Sequence, residues 1–159
     1  MRKRVVTEAE LEKLKMVFNA EDLIGRFPLE GLSPFVLKNG LACTKSSIND
    51  PIMHIYRLIG QIDGKIYKRV RIGMKWDKEK VPNPVAAECK LFFTTPDGSW
   101  AGERSIVPTW NGSVNEKGVG EFVFNLSSNS QTNGIITAMR FDPFDVADVE
   151  LAIEYIIVE

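Results

Sequence analysis

A single histidine, His54, limits the chemistry open to this chain of 159 residues. A serine triad would have to use it. It lies in Ile52-Met-His-Ile-Tyr56, which reads as a strand, and no Gly-x-Ser-x-Gly turn presents a nucleophile. A histidine cluster for a metal is excluded by count. Carboxylates are plentiful, as at Asp145, Asp148 and Glu150, but nothing sets two across a cleft at glycosidase separation. No glycine-rich phosphate loop is present. These residues predict a protein that is not an enzyme. Tryptophan carries the stronger signal. Trp76 precedes Asp77-Lys-Glu-Lys80, Trp100 follows Asp97-Gly-Ser99, and Trp110 precedes Asn111-Gly112. All three fall at strand ends or in loops, where binding groups are commonly displayed. An indole face takes the C–H face of a sugar ring, and neighbouring polar groups hold the hydroxyls. The candidate ligand-binding residues are therefore Trp100, Trp110, Trp76, Asn111 and Arg104. The competing reading is that each indole lids one end of a core.

The elements that must position these residues are mostly strands. Val70, Ile72 and Met74 alternate with Arg69, Arg71, Gly73 and Lys75, and Leu91 and Phe93 alternate with Lys90 and Phe92. Period-two alternation reads as strands with one buried face. Strands are expected over 35–38, 41–44, 54–58, 67–76, 86–94, 103–107, 121–125, 135–141 and 149–158. In the last, Val149, Leu151, Ile153 and Tyr155 are expected on one face, with Glu150, Ala152, Glu154 and Ile156 on the other. Asn39-Gly40 and Asp63-Gly64 are hairpin-type signals, and Pro96-Asp-Gly98 is a turn. Nine short strands at this spacing predict a mainly β fold, an antiparallel β-sandwich of jelly-roll type.

Ahead of them, Thr7-Glu-Ala-Glu10 fits a capping box, and Leu11, Leu14, Met16, Val17 and Phe18 fall near helical spacing. A short α-helix over 8–19 is expected, with 1–28 as helix plus linker and 29–159 as the sandwich. Its apolar stripe needs cover, either from this domain or from a partner chain, a homo-oligomer through residues 8–19 included.

Composition narrows the partners. Twenty Lys and Arg balance 21 Asp and Glu. That gives no basic footprint for nucleic acid and no polybasic membrane patch. No apolar run approaches the roughly 20 residues of a bilayer span. Met1-Arg-Lys-Arg4 lacks the apolar stretch of a signal peptide. Cys43 and Cys89 have no metal spacing and read as small core residues, a bridge being open if their strands are neighbours.

Four ordered pieces resemble the jelly-roll, galactose-binding-like modules of bacterial cell-surface and polysaccharide-active proteins. They are Asn39-Gly-Leu-Ala-Cys-Thr44 with Asp50-Pro-Ile52, Tyr67 to Lys75, Ala87 to Thr95 with Trp100 after it, and Gly134 to Pro143 closing on Ile153 to Ile157. The likeness spans roughly 29–158. It implies a carbohydrate-binding-module-like sandwich that recognises a glycan at its loop end without catalysis. It also implies a structural calcium, with Asp50, Asp142 and Glu154 at its acidic positions. The residues themselves leave open a corner closed instead by an Arg140 ion pair. The family often has a tryptophan where this chain has Thr132. That absence, and the start without an export signal, keep an alternative in view: a structural or assembly protein, such as a virion decoration anchored by its N-terminal helix. The location expected is then the cell surface for a module of a larger secreted chain, or the virion for a phage protein.

Overall fold

The structure of the protein, a computed structural model, describes residues 7–8 and 14–159. Among them thirteen strands follow in chain order. They are β1 (Met16–Asn19), β2 (Leu29–Glu30), β3 (Val36–Lys38), β4 (Leu41–Lys45), β5 (Ile52–Met53), β6 (Ile62–Asp63), β7 (Arg69–Trp76), β8 (Lys90–Thr94), β9 (Ser105–Ile106), β10 (Gly120–Asn125), β11 (Ile135–Ile136), β12 (Ala138–Asp142) and β13 (Glu150–Val158). Two one-turn α-helices interrupt them, α1 (Ala20–Leu23) and α2 (Tyr56–Ile59).

Two antiparallel sheets form a β-sandwich. The larger runs β10-β7-β13-β4-β3, with β1 beside the second half of β13. The smaller runs β2-β5-β12-β8-β9. Alternation explains the packing. Val70, Ile72, Met74, Phe122 and Phe124 point inward from the large sheet, and Met53, Leu91, Phe93, Met139 and Phe141 from the small one. All ten are fully buried, each stabilising by about 1.5–3 kcal/mol before entropy is charged. Phe124 and Phe141 meet edge to face across the two layers, 5.8 Å between centroids.

Several expectations are corrected. Of the helix expected over 8–19, residues 9–13 lie outside the described residues, and Glu8 and Leu14 on either side of them are helical. Met16–Asn19 is a strand, paired residue for residue with Val158 back to Tyr155. Met16 and Phe18 pack on the core, and Ala20 and Leu23 are buried in it. The β-branched and aromatic side chains satisfy a free sheet edge better than an isolated short helix. The sandwich therefore takes in chain ahead of the expected boundary at 28/29.

His54 to Leu58 is not a strand; the chain turns there into α2. Asn39-Gly40 closes the β3–β4 hairpin as expected, with φ of 53° and 74°, the left-handed pair that a tight hairpin requires. Asp63-Gly64 does not close a hairpin. β6 pairs instead with β11, and a Cβ on Gly64 would fall 1.7 Å from the Thr132 carbonyl oxygen. Cys43 and Cys89 are free thiols: Cys43 is in β4 of the large sheet and Cys89 is buried beside β8 of the small one.

The alternation expected through the last strand breaks at a bulge between Ile153 and Tyr155. Leu151 and Ile153 face inward, then Ile156 and Val158, while Tyr155 turns outward. One unpaired residue exchanges the faces for everything after it. Tyr155 then lies over Gly73, where a Cβ would sit 2.6 Å from its ring. Its hydroxyl donates to Glu121, which also takes Arg71 Nη1 at 3.1 Å.

Candidate functional site

The structure separates the three tryptophans. Trp76 is an inward residue of β7, 5% exposed, and its indole N–H donates to the Val81 carbonyl at 2.8 Å. Trp110 closes the β10 edge of the core. It stacks on Phe122 at 5.6 Å, meets Trp76 edge to face at 5.1 Å, and donates its N–H to Ser113 O at 2.8 Å. Gly120 makes room for it, since a Cβ there would approach the Trp110 Nε1 to 2.8 Å. Asn111 spends its side-chain oxygen on the Ser113 N–H and hydroxyl. Trp76 and Trp110 are thus lids of the core.

Trp100 differs. It is half-buried in the β8–β9 connection, and its indole N–H has no hydrogen-bond partner among the described residues. It belongs to a cluster on the outer face of the small sheet. Phe92 of β8 and Arg140 of β12 are cross-strand partners on that face. The Arg140 guanidinium carbon lies 4.4 Å from the Phe92 ring centroid and 5.4 Å from that of Trp100. A cation over two π-faces orders both rings. Beside them the Thr94 and Thr137 hydroxyls are 2.6 Å apart. Arg104 stands on Gly98 and donates Nη1–H to Ser99 O at 2.8 Å, which braces the Trp100 loop. Trp100 and Arg104 of this cluster were among the expected ligand-binding residues, and Phe92 was not. The signal was an aromatic on the polar face of an alternating strand.

Arg140 is held from behind by Asp142. Its Nη2–H donates to Oδ2 at 3.2 Å, and Nε lies 3.2 Å from Oδ1 without hydrogen-bond alignment. Asp142 is 3% exposed. Burial pushes its carboxyl up to about 7, against the pull of Arg140 and with added repulsion from Asp50 and Asp145. The expected corner with an Arg140 ion pair is present.

The acidic trio does not assemble. Glu154 lies on the outer face of the other sheet, paired with Lys117 at 3.3 Å and with the Asn115 amide. Among the described residues no group of three His, Cys, Asp or Glu side chains is arranged to hold a metal ion. Asp50, Asp142 and Glu154 therefore do not fit a calcium site. Thr132, at the position where the resembled modules often have tryptophan, is 2% exposed, and its hydroxyl donates to Asn129 O at 2.7 Å. That position belongs to the interior in this chain. His54 Nε2 sits 2.7 Å from Glu30 Oε2 at the β2–β5 edge, with no nucleophile in the contact.

The opposite outer face, on the large sheet, carries a groove of about 640 Å³ crossing β3, β4, β13 and β7. Leu41, Cys43 and Ala152 form its floor, and Lys38, Lys45, Lys75 and Glu150 stand around it. No residue of this groove other than Trp76, which it reaches at one end, was among the expected site residues.

No family profile matches the chain, and no curated protein does. Solved structures match along nearly its whole length. A low-affinity xylan-binding module, CBM86, from the xylanolytic gut symbiont Roseburia intestinalis is 12% identical with a TM-score of 0.50, covering 91% of this chain and 94% of that one. A variant of a family 29 carbohydrate-binding module is 12% identical with a TM-score of 0.53, covering 91% of each. A second family 29 variant is 10% identical with a TM-score of 0.51, covering 90% of each. The chain has the β-sandwich fold of carbohydrate-binding modules. Among the described residues no helix is long and apolar enough to cross a membrane.

Proposed function

We propose that this domain is a non-catalytic module that recognises a glycan on the outer face of its small sheet. The observation that carries the reading is Trp100. Its indole is the one of three with an uncommitted N–H among the described residues, and it shares Arg140 with Phe92. Sugar rings laid along Phe92 and Trp100 would meet negative π-surface with their C–H faces. The Trp100 N–H and the Thr94 and Thr137 hydroxyls would hold ring hydroxyls. Asp142 fixes Arg140, so the two rings are ordered before a ligand arrives, and binding gives up less entropy. The fold shared with xylan-binding and family 29 modules supports the reading at the level of architecture.

The test is affinity electrophoresis and calorimetry with neutral oligosaccharides on the parent and on Trp100→Ala. Losing one stacking face of an indole should cost about 1–2 kcal/mol, a roughly 5- to 30-fold weakening. Unchanged affinity in Trp100→Ala would end the reading. An assembly role anchored through residues 8–19, on a virion or in a homo-oligomer, has no observation in its favour, because Met16 and Phe18 turn into this domain's own core.

A further inference from the structure

We infer that the groove on the large sheet is a second saccharide site, and that it takes an acidic sugar chain, one whose units carry carboxylates. It lies on the opposite side of the sandwich from Trp100 and does not depend on the platform proposed there.

The floor is set by strand register. Val36 of β3, Cys43 of β4, Ala152 of β13 and Lys75 of β7 form one transverse row. Three strand spacings put its ends about 14 Å apart. The two middle residues are small, so the floor is low; Leu41 packs beside them in a satellite cluster with Val119. Val36, 64% exposed, forms an apolar wall. This row suits the C–H face of a run of sugar rings. Along this row β4, β13 and β7 are paired on both edges, so a peptide could dock by its main chain only at the outer edge of β3 and not across the floor.

The charges set the ligand class. Lys38, Lys45 and Lys75 stand around this floor, and none forms an ion pair among the described residues. Other lysines are used: Lys117 on Glu154, Lys90 on Glu88, Lys80 on Asp148 O. Two acidic residues also line the groove. Asp77 is turned away, its Oδ1 accepting the Glu79 and Lys80 N–H groups of its own turn. Glu150, cross-strand from Lys45, is placed to accept sugar hydroxyls. Three separated ammonium groups with one carboxylate among them match a hydroxyl-rich chain bearing spaced single charges. A densely sulfated chain would meet Glu150 at every register, and a neutral chain would leave the lysines unused.

The experiment uses the full chain, short oligogalacturonates, neutral oligosaccharides of equal length and polyglutamate. Cys43 in the floor reports occupancy directly, because a bound chain must shield its half-buried thiol from a maleimide, while Cys89 is buried. We expect oligogalacturonate to protect Cys43 and to bind about 5- to 10-fold more weakly to Lys38→Ala/Lys75→Ala, as two exposed ion pairs allow. Glu150→Lys should bind it about 2- to 5-fold more tightly, a gain that misfolding cannot imitate. Raising salt from about 0.05 to about 0.5 M should weaken it far more than any neutral sugar. Trp100→Ala should leave it unchanged. The inference is overturned if oligogalacturonate neither binds nor protects Cys43, if its binding follows Trp100 rather than the lysines, or if polyglutamate protects Cys43 equally well.

Discussion

Replacing Asp142 by asparagine should change how the stability of this domain depends on pH. The carboxyl is buried behind Arg140, and burial outweighs the guanidinium, with Asp50 and Asp145 adding repulsion, so it titrates at about 7 instead of its ordinary 3.8. The folded chain therefore keeps a proton that the unfolded chain has released. The stability this contributes is complete below the ordinary value and is lost as pH rises through about 7. Between those limits the slope is negative, at most about 1.4 kcal/mol per pH unit. Over roughly three units the ceiling is about 4 kcal/mol. Asp145, raised by burial and by Asp50 and Glu88, adds in the same direction. Glu159 acts oppositely. Burial would raise it, but hydrogen bonds from Arg69 and Arg71 hold it low, so its contribution is lost only in acid. The asparagine amide would imitate the neutral acid and still accept from Arg140. Urea unfolding of parent and Asp142→Asn, followed from about pH 3 to about pH 8, should give similar stabilities at the acid end and a more stable variant at the alkaline end. If both curves keep the same slope, Asp142 is ionised throughout and the reasoning about its burial is wrong.

Other outcomes follow from packing. Gly73→Ala should cost about 1–3 kcal/mol in urea unfolding, because its Cβ would enter the Tyr155 ring. Trp110→Ala should cost about 2–4 kcal/mol by uncovering Trp76 and Phe122, yet leave neutral-glycan affinity within about twofold. Deleting residues 1–19 should lower the melting temperature by several degrees, since it strips β1 from β13. A truncated chain that melted like the parent would remove β1 from the sandwich.

Much of this fold is legible in the residues. Alternation in Arg69–Trp76 and Lys90–Thr94 orients both faces correctly, and Asn39-Gly40 specifies its hairpin. The misses share a cause: local pattern was overruled by long-range pairing. Met16–Asn19 has helical spacing but meets the open edge of β13, at the far end of the chain. The bulge near Glu154 carries no local mark; only the pairing of β13 with β7 reveals it. The candidate site was half legible. Trp100 stood out as a loop aromatic, as did Trp76 and Trp110, and only burial and hydrogen bonding separate them. Phe92 and Arg140 become a pair through the β8–β12 register, and the groove needs the β3–β4 hairpin brought beside β13 and β7 from distant parts of the chain.

The most direct measurement is the behaviour of the three indole N–H signals in a nitrogen–proton NMR spectrum during titration with neutral β-linked oligosaccharides. Trp76 and Trp110 have their N–H groups tied to Val81 O and Ser113 O inside or at the edge of the core. The Trp100 N–H has no such partner among the described residues. The account predicts that the Trp100 signal alone shifts and saturates. Shifts of Trp76 or Trp110 with Trp100 silent would contradict it, as would three unmoved signals across the panel.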